Sequence, residues 1–149
     1  MELYIGGFAQ GKLEYVRRQH PGEDFRILDG ADRKLEGGPV LKDSPAPESG
    51  RRQELPDGRM NGGRLLINHF HGWVKGLIAE GKDAEALTEM LAKEYPDCII
   101  ICDEVGNGIV PVEPFEREYR ERLGRILIGL AAKAERVERV SCGIGLRVK

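Results

Sequence analysis

Leu3, Tyr4 and Ile5 run straight into Gly6-x-x-x-x-Gly11-Lys12, close to the start of a 149-residue chain. Glycines at this spacing let backbone N–H groups curl around a di- or triphosphate, and the lysine adds a point charge. Gly6, Gly7, Phe8, Ala9, Gln10, Gly11, Lys12 and Leu13 are therefore the expected contacts of a nucleotide's phosphates, with Lys12 as the catalytic cation. The next position of such loops usually carries a Ser or Thr hydroxyl for magnesium, and here it is Leu13. Phosphate binding and metal-assisted catalysis are consequently separate expectations for this loop. The plainer alternative is a glycine-rich turn between strand and helix.

A second group follows the apolar run Ile99 to Cys102, where Asp103 and Glu104 stand side by side. A strand ending in two acids can coordinate a metal or orient water, so both are catalytic candidates and Asp103 is the candidate metal ligand. An acid pair at a strand end can also simply cap the next turn. His69 and His71 follow Asn68 where a helix is expected to begin, and on a helix that spacing sends the rings roughly opposite ways. They read as polar lining of a cleft in preference to a metal pair. Asp29 either lines the same edge or forms a turn before Gly30, while Arg17, Arg18, Arg51 and Arg52 are phosphate clamps or solvated charge.

The elements that must position these residues alternate between strand and helix. Leu3–Ile5 and Phe25–Leu28 read as buried strands around a helix that starts near Lys12 and stops before Pro21-Gly22. Residues 36–63 hold four prolines and six glycines with little apolar periodicity, the pattern of a long mobile loop. Arg64–Asn68 restores a strand, Trp73, Leu77 and Ile78 fall at helical spacing, and Asp83 can cap a helix over Ala84–Glu94. Asp97–Cys102 is a continuous apolar strand of the parallel-sheet kind. Phe115, Tyr119, Leu123, Leu127, Leu130 and Ala134 then make one stripe of the longest helix. Val140, Cys142, Ile144, Leu146 and Val148 alternate on one face of a terminal strand, or of a hairpin bent at Gly143. The expectation is a single α/β domain over 1–149.

Net charge is −2, from 23 Lys and Arg against 25 Asp and Glu, so no basic field advertises nucleic acid or an anionic membrane. No apolar run reaches the roughly 20 residues of a membrane span. The expected location is the cytoplasm. Cys98, Cys102 and Cys142 sit in apolar runs without a Cys-x-x-Cys pair and read as buried thiols.

Three stretches carry a further resemblance: Asp103-Glu-Val-Gly-Asn-Gly-Ile-Val-Pro111, Tyr119-Arg-Glu-Arg-Leu-Gly-Arg125 and Ser141-Cys-Gly-Ile-Gly-Leu-Arg-Val-Lys149. Together with the first loop, they resemble the adenosylcobinamide kinase / adenosylcobinamide-phosphate guanylyltransferase family of cobalamin biosynthesis. The resemblance implies a RecA-like P-loop fold with a mostly parallel sheet flanked by helices, ATP or GTP and magnesium, a corrinoid substrate, and assembly into trimers. It also sharpens the departures. Leu13 and Gln10 replace two serines of the family loop, Asn68 stands where the family ends a strand in a carboxylate, and residues 36–63 lack the family's guanylylation histidine. The resemblance thus implies kinase chemistry with weakened metal binding, guanylyl transfer without its nucleophile, or a relative that binds nucleotide or partner without catalysis.

Overall fold

The computed structural model describes residues 1–31 and 63–149. Ten elements follow in chain order: β1 (Glu2–Gly6), α1 (Lys12–Gln19), β2 (Phe25–Asp29), β3 (Arg64–Asn68), α2 (Phe70–Ala79), α3 (Ala84–Glu94), β4 (Ile99–Asp103), α4 (Pro114–Lys133), β5 (Arg136–Ser141) and β6 (Ile144–Arg147). The expected loop over 36–63 lies outside the described residues except for Gly63.

The strands form one sheet in the order β2-β3-β4-β1-β5-β6, parallel throughout apart from the antiparallel β5–β6 pair. Period-two alternation splits its side chains between two layers. Leu3, Leu65, Ile67, Ile100, Cys102 and Val137 face α2, α3 and α4, where they meet Phe70, Leu77, Leu91, Tyr119 and Leu123. Tyr4, Leu66, Ile99, Ile101 and Val140 face the other way and pack with Val16 of α1. All five residues of β4 are buried, as its continuous apolar run requires. Asp83 caps α3 by accepting the Ala86 N–H at 3.0 Å.

Two sequence expectations change at the C-terminus. Cys142 and Gly143 both take positive φ and form the two-residue turn of a hairpin, pairing Ser141 with Ile144 and Val140 with Gly145. Val140 therefore does not share a face with Ile144: it is buried, whereas Ile144, Leu146 and Val148 are exposed. Alternation continues along a single strand, but a two-residue turn inverts its phase on the return. For the same reason Cys142, expected to be buried, is exposed on the turn. Burial pushes the other two thiols, Cys98 and Cys102, up to about 12, leaving them unreactive at neutral pH.

This connectivity locates a crevice. After β1 the chain leaves for β2 at the far edge, whereas after β4 it crosses past β1 to β5. Connections departing in opposite directions open a gap at the carboxyl ends of β1 and β4, where open α/β sheets bind ligands.

Candidate phosphate-binding site

Gly6 and Asp103 are register partners at that gap. A Cβ on Gly6 would stand 2.2 Å from the Val140 carbonyl oxygen, so only glycine lets β1 turn away this close to β5. Ala9 and Gly11 both adopt left-handed backbone, with φ of 55° and 73°, and the chain then enters α1 at Lys12. Among the described residues, the backbone N–H groups of Phe8 through Leu13 make no hydrogen bond outside the helix. Unbonded donors at a helix N-terminus attract anions. The loop itself is braced from behind: Gln10 accepts the Cys142 N–H on its side-chain oxygen at 2.6 Å and the Gly143 N–H on its carbonyl at 2.9 Å.

Lys12 is only 7% exposed, and its ammonium points inward. Its Nζ lies 2.6 Å from Asp103 Oδ1 and donates to the carbonyls of Gly7 at 2.6 Å and Gly6 at 3.3 Å. Three acceptors use all three of its donors. The lysine is thus held at the loop with its ammonium fully occupied, Asp103 being its one charged partner among the described residues. Glu104 donates its N–H to the Gly6 carbonyl at 2.9 Å, and its carboxylate is gripped by Arg139 at 2.9 Å and by Asn107 at 3.0 Å. The acid pair divides accordingly, with Asp103 facing the loop and Glu104 fastening the turn after β4 to β5.

His71, in the first turn of α2, accepts the Asp103 N–H on Nδ1 at 3.3 Å, and its Nε2 lies 3.8 Å from Asp103 Oδ2. Burial, the largest influence, holds this imidazole below its ordinary 6.5 despite the opposing pull of Asp103. His69 takes left-handed backbone, φ 49° and ψ 41°, and caps α2 without being part of it. Both rings therefore converge, 5.9 Å apart and nearly perpendicular, in place of the divergence expected for two helical residues. Asp29, at the end of β2, meets His69 Nδ1 at 2.8 Å and also accepts the Ala31 N–H at 2.9 Å, serving both the edge and the turn. Burial alone would raise the Asp29 carboxyl; the Ala31 N–H, His69 and Asn68 outweigh it and hold the group below its usual range.

Asn68 aims its amide at Asp29 Oδ2 at 3.4 Å, so the charge absent from β3 stands one strand away. Magnesium, implied by the resemblance, would find Asp103 as the one carboxylate facing the loop among the described residues; the Leu13 side chain offers no oxygen, and Asn68 is neutral. Among the described residues no three His, Cys, Asp or Glu gather as a metal site. This donor set suits a metal carried chiefly by phosphates and water and does not form a cage of its own.

Arg18 donates to the Gly143 carbonyl at 2.8 Å, which makes it a brace of the hairpin turn. Arg51 and Arg52 lie outside the described residues. Sequence reasoning missed the Asp29–His69 pair and the bond from Gln10 to the hairpin, which join residues 40 and 132 positions apart.

Comparison with known proteins decides the family. The model of the cobinamide kinase / cobinamide phosphate guanyltransferase family matches residues 52–148. The chain belongs to this family. Two curated relatives, the bifunctional adenosylcobalamin biosynthesis proteins CobU of Salmonella typhimurium and Escherichia coli, are each 41% identical over 51 residues. That segment is 34% of this chain and 28% of each relative, so the chain matches less than a third of their length. The family match takes in Asp103, Glu104 and both edge histidines but starts after the loop from Gly6 to Leu13. Of the described residues, no helix is long and apolar enough to cross a membrane.

Proposed function

We propose that this chain binds ATP or GTP through the loop from Gly6 to Leu13 and phosphorylates the hydroxyl of adenosylcobinamide in cobalamin biosynthesis. The observation that carries this reading is the placement of Lys12 and the unbonded loop N–H groups at the gap between β1 and β4. In this reading, an incoming phosphate displaces Asp103 from Lys12. The freed carboxylate then faces the nucleotide and any magnesium it brings, while Glu104 keeps the following turn in place.

Guanylyl transfer through a histidine adduct is not part of the proposal. His20, His69 and His71 are the only histidines in the chain, and none lies in the segment where the family carries its nucleophile. A cytoplasmic homotrimer completes the reading. The exposed row of Ile144, Leu146 and Val148 gives such an assembly apolar surface to cover.

The second reading, a binding relative without catalysis, is favoured by Leu13, by Asn68 and by the saturated ammonium of Lys12. Incubation with γ-labelled ATP or GTP and adenosylcobinamide, with and without magnesium, separates the two. Label in the corrinoid, lost in Lys12→Gln, supports the kinase. Nucleotide binding without label transfer supports the second reading.

A further inference from the structure

The neighbours of the two edge histidines assign their protons to opposite nitrogens. His69 Nδ1 lies 2.8 Å from Asp29 Oδ1, a separation that requires a proton between nitrogen and carboxylate. The Asn68 amide nitrogen, 3.1 Å from the same Nδ1, is then a neighbouring donor that points one hydrogen at Asp29 Oδ2, 3.4 Å away. His69 Nε2 keeps its lone pair, and it makes no hydrogen bond among the described residues. His71 is the reverse: Nδ1 accepts from the Asp103 N–H, which leaves the proton on Nε2.

The backbone holds His69 in this pose. The Gly30 N–H bonds the Asn68 carbonyl at 2.8 Å, and the Gly72 N–H bonds the His69 carbonyl at 2.8 Å. A Cβ on Gly30 would fall 2.4 Å from the His69 oxygen, so the chain after β2 is pressed against the residue. A non-glycine residue in left-handed backbone beside an orienting carboxylate is a typical way of storing constraint at a site. The ring is only half-buried. From His69 through His71 to Asp103 and Lys12, one series of contacts runs along the carboxyl edge to the loop.

On the kinase reading above, we infer that His69 is the general base that receives the acceptor hydroxyl's proton, with Asp29 orienting it. The acceptor oxygen bonds to the γ-phosphorus as the bond from that phosphorus to the β,γ-bridging oxygen breaks. The nucleoside diphosphate leaves with the electron pair, and the proton moves from the hydroxyl to Nε2 and then to water. The His71 Nε2–H stands beside this path as a donor.

Glycine and asparagine both accept left-handed backbone, so His69→Gly and His69→Asn should fold. With ATP and adenosylcobinamide, both should lower kcat about 10²–10⁴-fold at unchanged KM for ATP. Added imidazole should restore turnover to His69→Gly and not to His69→Asn, where the amide fills the space. Parent-like turnover in His69→Gly, or a loss that imidazole does not repair, overturns the general base while leaving the kinase reading intact. A parent that binds ATP but never phosphorylates adenosylcobinamide overturns the kinase reading and the general base with it.

Discussion

The two ends of the sheet carry similar side chains put to different uses. At the amino end, Glu2 binds Arg64 at 2.7 Å, Tyr4 at 2.6 Å and His20 at 3.2 Å, and His20 reaches Glu23 at 3.4 Å with its other nitrogen. Both nitrogens of that imidazole are engaged, and no donor or lone pair is left over for a ligand. At the carboxyl end, Asp103 Oδ2, His69 Nε2 and the N–H groups of the loop keep unspent capacity among the described residues. A histidine beside an acid is therefore not a site in itself. What distinguishes His69 from His20 is the atom left without a partner and its place beside the crevice.

Removing Asp103 should have the largest effect on this contrast, because it leaves the Lys12 ammonium buried with carbonyls alone. Asp103→Ala is expected to cost about 3–5 kcal/mol, read from the urea midpoint. Gly6→Ala comes next: its methyl would collide with the Val140 carbonyl and part β1 from β5, costing about 1–3 kcal/mol. A hydrogen-exchange comparison should show the damage centred on β5 and the loop, with the amino end unaffected.

Glu2→Gln probes the amino end. Burial would raise the Glu2 carboxyl, but Tyr4, Arg64 and His20 override it and hold the group below its ordinary 4.5. A depressed carboxylate contributes stability that is complete above 4.5 and lost as pH falls through its lowered folded value. The substitution should cost about 2 kcal/mol at pH 7 and flatten the acid limb below that range, as urea midpoints from pH 7 to pH 3 would show.

The smallest effects separate the two histidines. His20→Asn gives up bonds to two acids and an edge-on contact with Phe25 and should cost about 1–2 kcal/mol. His69→Asn should change stability by less than about 1 kcal/mol, because its pair with Asp29 is half exposed and asparagine suits the backbone. Equal losses at the two positions would remove the distinction between a structural and a functional pairing.

Much of the fold could be read from the chain because its signals are local. The apolar run before Asp103, the cap at Asp83 and the stripe from Phe115 to Leu130 each place an element without reference to its neighbours. The turn from Gly6 into α1 at Lys12 was legible for the same reason. The remainder of the site depends on strand order. Asp29 meets His69 only because β2 and β3 are adjacent and in register, and Lys12 meets Asp103 only because β4 lies beside β1. His69 was misjudged as helical because nothing in its sequence context signals a positive φ, and the hairpin phase was misjudged because alternation does not reveal which turn interrupts it.

The proposed nucleotide-phosphate site consists of Lys12 and its loop. Isothermal titration of ATP and GTP into the parent and into Lys12→Gln, which keeps a donor for Asp103 and the Gly7 carbonyl, tests it most directly. Binding to the parent should be saturable and affinity reduced at least about tenfold in the variant, a loss of about 1.4 kcal/mol. Equal affinity in a folded Lys12→Gln would reduce the loop to a turn between β1 and α1.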